Sequence, residues 1–233
     1  MYNIFKNFSD SPFIVFILIA YIISLCIGIT FHEFAHAYVA YKNGDDTPKY
    51  KHRLSLNVFN HLDLFGTISL LLFGFGWAKP VEINPLNFKQ YRKGLFLTSI
   101  AGVVMNFFLG LIAIFGLALL SYLTNVVFII NLGTQVTNFV DGLYVFLYYF
   151  FSFLAQVNFC LMFFNLMPVY PLDGYNMVDS FLKNPAKFRE VSQRFNFIFI
   201  VLVLVIVNTF YGDLFNLLFE PIFMFFIKIF TIF

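Results

Sequence analysis

The sequence predicts an all-α integral membrane protein with about five transmembrane helices (between four and six). It also predicts a small membrane-associated β or re-entrant region between the first two helices. Three observations carry this. Long apolar runs recur along the chain and 61% of its residues are hydrophobic. Charged residues make up only 11%, against roughly 25% in soluble domains. The basic residues gather in two of the connecting regions.

The first apolar stretch, about 12–40, exceeds the ~20 residues that cross a bilayer. Lys6 before it gives the look of a signal peptide. No small-residue cleavage site follows, so the segment is expected to stay. The next region, 41–94, differs in kind. It opens with turn chemistry, Asn43-Gly44-Asp45-Asp46-Thr47-Pro48. It continues as Arg53-Leu54-Ser55-Leu56-Asn57-Val58, whose period-two alternation reads as a strand. Leu64 to Trp77 is apolar but short and carries three glycines, so it reads as re-entrant or interfacial, with Trp77 as an interfacial anchor. Lys79 to Pro85 reads as a further extended piece. Apolar stretches at about 95–122 and 142–167 complete a three-helix core. Two accessory helices are expected at about 195–211 and 214–232. No repeat, low-complexity tract or soluble module is visible, so 1–233 reads as a single domain.

Charge orients the chain. Eight Lys or Arg, from Lys42 to Lys93, fall in 41–94. Lys183, Lys187, Arg189 and Arg194 fall in 168–194, while 123–141 has none. Both basic regions are expected in the cytoplasm, with the N-terminus outside. Net charge is +2 and there is no basic tract, which excludes nucleic acid as a partner. Cys26 and Cys160 stand alone in apolar segments and read as small buried hydrophobes. Abundant Phe, Tyr, Asn and Ile fit an AT-rich bacterial coding bias, hence the inner membrane of a bacterial cell.

The chemistry centres on His32-Glu33-Phe34-Ala35-His36. On a helix this spacing stacks two imidazoles one turn apart, with a carboxylate between them free to handle a proton. The arrangement suits Zn²⁺ in a metalloprotease. Ionisable groups at membrane depth are costly and usually functional. A hydrolytic zinc site needs a third ligand and an open position. Among His52, His61, Glu82 and several aspartates, the best candidate is Asp173, in Asn165-Leu-Met-Pro168-Val-Tyr-Pro171-Leu-Asp173-Gly174. The prolines and glycine there break the helix on the side where the first helix ends. His61 and Asp63 read as a solvated interfacial pair, and His52 as part of a solvated basic loop.

These residues resemble the site-2 proteases, the intramembrane zinc metalloproteases of peptidase family M50. The likeness rests on HEFAH and the distant Pro171-Leu-Asp173-Gly174. It is extended by His36-Ala-Tyr-Val-Ala-Tyr-Lys-Asn-Gly44-Asp45, Arg53-Leu-Ser-Leu-Asn57, His61-Leu-Asp63-x-x-Gly66-Thr67 and Gly76-Trp77-Ala78-Lys79-Pro80-Val81. It is closest to the compact bacterial branch without PDZ or CBS domains. The chain departs from it with Val58, Leu64 and Val103 where the branch usually has proline. The resemblance implies one Zn²⁺ per chain held by His32, His36 and Asp173, Glu33 as general base, and Asn106 positioning substrate or polarising its carbonyl. It implies an endopeptidase that cleaves within or next to transmembrane segments, whose partners are a membrane-protein substrate and the lipid bilayer. The substrate must unwind, and the extended pieces around 53–58 and 79–84 are expected to offer it a sheet edge. Oligomeric state is open. Two other classes are weighed. A non-proteolytic binder of membrane helices would have no need of Glu33. A metal transporter would spread its polar groups over several depths, whereas here they cluster at one.

Overall fold

A computed structural model describes residues 14–63, 65–66, 79–124 and 139–232. Its framework is three long helices: α1 (Ile14–Lys42), α3 (Tyr91–Leu123) and α4 (Phe139–Leu166). All three are long and apolar enough to cross a membrane. Between α1 and α3 lie the single-turn helix α2 (Thr47–Tyr50) and two short 3₁₀ turns, 58–60 and 85–87. After α4 come α5 (Asp173–Phe181), α6 (Ala186–Arg194) and the long helix α7 (Asn196–Ile232).

The three framework helices pack on one another through small or aromatic residues. Val103, Ala113 and Ile114 of α3 meet Leu154, Ala155, Phe159 and Met162 of α4. Ile17 and Ala20 of α1 meet Phe153. Alanine at the contacts lets backbones approach, the usual basis of helix association where lipid competes for apolar surface. Val15, Ile19 and Ile22 of α1 and Phe108 and Ile112 of α3 remain exposed, as lipid-facing residues should. α7 lays Phe215, Phe219, Ile222, Phe223 and Phe226 against the α3–α4 core.

Two expectations change. The accessory segments 195–211 and 214–232 are one continuous helix of 37 residues, about 56 Å long. It runs through Gly212 and Pro221, both tolerated in apolar helices whose backbone is sheltered from water. The expected strand at 53–58 does not form, and no strand occurs among the described residues. The side chain of Asn57 instead accepts the Phe59 N–H and starts the 3₁₀ turn 58–60. Asn84 does the same for Leu86, with Pro85 at the first helical position. The segment 79–84 is neither helix nor strand. The stretch 64–77, expected to be re-entrant or interfacial with Trp77 as an anchor, lies almost wholly outside the described residues.

Candidate metal centre

Helical spacing does the first part of the work. His32 and His36 lie 10 and 6 residues before the end of α1 at Lys42, about 15 and 9 Å along its axis. Both are buried, and their Nε2 atoms are 2.9 Å apart. The second part comes from the chain after α4. Residues 167–172, with Pro168 and Pro171, turn back, and α5 begins at Asp173. A Cβ at residue 174 would stand 2.4 Å from the Leu166 carbonyl oxygen and 2.5 Å from that of Met167. Only glycine lets the first turn of α5 press against the end of α4, and this close seat aims Asp173 at α1. Asp173 Oδ2 is 3.2 Å from each histidine Nε2.

The helix carrying Asp173 is fastened elsewhere. Tyr175 stacks on Phe188 of α6 with ring centroids 5.1 Å apart. Arg189 of α6 grips Asp179 through two 2.7 Å bonds and reaches Tyr91 Oη, at the start of α3, at 3.3 Å. A bidentate guanidinium–carboxylate pair fixes orientation as well as distance.

The residues fit a zinc ion. His36 Nδ1 lies 2.6 Å from the Thr98 carbonyl oxygen, which can only accept, so Nδ1 carries a proton and the neutral ring offers its Nε2 lone pair. That lone pair faces His32 Nε2 and the Asp173 carboxylate, and Asp173 Oδ2 is buried without a hydrogen-bond partner. Three electron-rich atoms converging out of water need a cation among them. Ligands ~2.0–2.1 Å from a tetrahedral ion lie about 3.3 Å from one another, close to the separations here. His32, His36 and Asp173 form the cluster able to hold a metal among the described residues.

A second close approach completes the pocket wall. A Cβ on Gly102 of α3 would fall 2.5 Å from both His32 Cε1 and His36 Nε2. The bare backbone of α3 therefore forms the surface against which the two imidazoles rest. Thr98 and Gly102, one turn apart, supply the orienting carbonyl and the space. The sequence gives little sign of the first, since a backbone carbonyl carries no residue-type signal. Gly102, a lone glycine in an apolar run, likewise carries no sign of this role.

The remaining candidates separate. Glu33, half-buried beside the pair, accepts the Val81 N–H through Oε2 at 2.9 Å. Asn106, one turn beyond Gly102, is fully buried, and neither amide atom has a hydrogen-bond partner. His61 is not the solvated residue expected: it is fully buried, with Nε2 2.7 Å from the Ser55 carbonyl oxygen. The loop folds over it because Arg53, itself buried, bonds the Asn60 carbonyl. Asp63 accepts the Gly66 N–H. His52 is exposed, and Glu82 is exposed and paired with Lys51 at 3.2 Å.

Comparison with known proteins agrees with this centre. The model of peptidase family M50 matches residues 20–206, a span that contains every residue of the cluster. A Bacillus subtilis (strain 168) protein named "Putative zinc metalloprotease YwhC" is 41% identical over 188 residues, 80% of each chain. No solved structure gives a significant match. An apolar helical framework, a zinc-fitting cluster and a family match over most of the chain lead to one conclusion. The chain belongs to peptidase family M50, the site-2 proteases, and is a membrane-embedded zinc metalloendopeptidase.

Proposed function

We propose that the protein is an intramembrane endopeptidase that hydrolyses peptide bonds within or next to transmembrane segments, in regulated proteolysis or clearance of membrane remnants. The observation that carries this reading is the convergence of His32, His36 and Asp173 near one end of a membrane-length helix. That end adjoins the basic regions 41–94 and 168–194, which argues for a cytoplasmic-facing site in the bacterial inner membrane. The described helices and the site make one unit, in keeping with a single domain over 1–233.

His32 and His36, with Asp173, would hold the ion. Zinc, when bound, would supply Lewis-acid polarisation of the attacked carbonyl and of the water. Glu33 takes the proton of the attacking water and passes it to the leaving amine. Asn106 is on the same face of α3 as Gly102, and its unpartnered amide supports a role in holding the substrate carbonyl. Thr98 keeps the His36 ring oriented through the whole cycle.

The test is membrane proteomics of wild type against Glu33→Gln. Specific short membrane fragments should accumulate in the variant and identify the substrates. If the two proteomes are the same while zinc stays bound, the protease reading fails for membrane substrates.

A further inference from the structure

One segment crosses the face of α1 beside the metal centre and is fastened at every second or third residue. It begins where the Lys79 N–H bonds the His61 carbonyl at 2.9 Å. The Val81 N–H bonds Glu33 Oε2 at 2.9 Å. Glu82 points outward to Lys51. Ile83 packs on Ala40, Phe88 and Leu95. The Asn84 N–H bonds Asp45 Oδ2 at 2.7 Å. The two N–H groups that face inward, at 81 and 84, are thus both committed to carboxylates of α1 and its following loop, and neither is available to an added substrate strand.

Asp45 is the unusual member. It is an acidic residue with no exposure at all. Burying an isolated carboxylate is expensive, so its partners must matter. It has four: the Thr47 N–H at 3.1 Å, Thr47 Oγ1 at 2.6 Å and Asn87 Nδ2 at 2.9 Å, all to Oδ1, and the Asn84 N–H to Oδ2. Gly44 makes the turn that presents it, with φ +108, a left-handed conformation where a side chain would be strained. A Cβ there would also meet the Asn87 carbonyl oxygen at 3.1 Å. Beyond this knot the Lys89 N–H bonds the Asn43 carbonyl at 2.9 Å. Nothing about this geometry is needed to hold a metal. Its consequence is to fix the height of Val81, three residues upstream, against Glu33.

We propose that Asp45 is a positioning residue for peptide hydrolysis: it locks the strap Val81–Asn84 so that the Val81 N–H holds one oxygen of the Glu33 carboxylate and sets the direction of the other. The proposal rests on the reading of Glu33 as general base. A general base acts only within hydrogen-bond reach of the proton it removes, and small misplacement is costly. Fastening one carboxylate oxygen to backbone removes the rotation that would carry the second oxygen away.

The test uses the full chain in liposomes with a single-span reporter protein, tagged at both ends, that wild type cleaves. Asp45→Asn removes one acceptor oxygen; Val81→Pro removes the donor at the far end of the strap. Each should lower kcat by about tenfold or more, since a small shift of a reacting group is enough for that. KM should stay within about twofold, because the lost contact acts after substrate binding. The double variant should be no slower than the slower single one, since both act through one contact. Zinc content should stay at one per chain. In Asp45→Asn the Val81 amide should exchange hydrogen faster, with α1 unchanged. Should Asp45→Asn fail to accumulate in membranes, the exposed side chain of Asn87 offers a milder variant, Asn87→Ala, with the same expected direction. Losses that multiply in the double variant, a rise in KM alone, or an unchanged Val81 amide would each overturn the proposal. Glu33→Gln separates the two readings. If it cleaves like wild type, the base assignment and the proposal fall together; if it is inactive while Asp45→Asn is fully active, only the proposal falls.

Discussion

Two places in this protein bury histidine, and they are built for opposite ends. At His32 and His36 the ring nitrogens point at one another and at a carboxylate, with one tautomer set by a backbone carbonyl. At His61 the ring Nε2 meets the Ser55 carbonyl, and the ring belongs to no metal-holding cluster among the described residues. The first arrangement leaves lone pairs converging and calls for a cation. The second closes a loop. Burial alone does not mark a functional histidine; the groups its nitrogens face decide the matter.

The comparison can be broken from either side. The largest effect is expected at the metal cluster. Asp173→Ala should abolish zinc binding and cleavage while the helices persist, read by metal content and by circular dichroism. Retained zinc would separate Asp173 from the ligand set. Next comes Gly102→Ala, which pushes a methyl group into the space of both imidazoles. Zinc affinity should fall by about 10–100-fold, the size expected when ligand orientation is disturbed. Competition with a chelator measures it, and wild-type affinity would show that α3 does not set the rings. His61→Ala should leave zinc and turnover unchanged but lower stability by about 1–3 kcal/mol, because the Ser55 carbonyl loses its donor in a buried place. Thermal unfolding in detergent reads this. Zinc loss in that variant would erase the distinction between the two sites.

The smallest effect is a pH dependence. Burial raises the Asp45 carboxyl, but the hydrogen bonds from Thr47, Asn84 and Asn87 more than offset it, so its folded value is depressed. The sign follows from linkage. The unfolded chain binds this proton more readily, so the stabilisation is fully present above the unfolded value of about 4 and fades as pH falls through the lower folded value. Acid unfolding of wild type should therefore lose a component between these values that Asp45→Asn lacks. Parallel acid titrations would show that the network gives the carboxylate no preference for its charged form.

Legibility in the sequence followed the range of the interactions. The histidine pair was readable because i and i+4 fall on one helix face whatever else the chain does. Asp173 was readable because prolines and a glycine announce a break on the same side as the end of α1. His61 was not, since its burial depends on Arg53 reaching back to Asn60. The alternation of 53–58 imitated a strand, but the Asn57 side chain caps a turn there instead. Asp45 looked like turn chemistry and is that, yet its four donors come from as far away as residue 87. The single helix 196–232 went unread because Gly212 carries the look of a break while leaving the helical path open.

The bond between the Lys79 N–H and the His61 carbonyl has a consequence for how such a protein can change. It joins backbone to backbone, so it does not depend on which side chains stand at 61 and 79. Selection is then free to change those side chains while Val81 keeps its registration against Glu33.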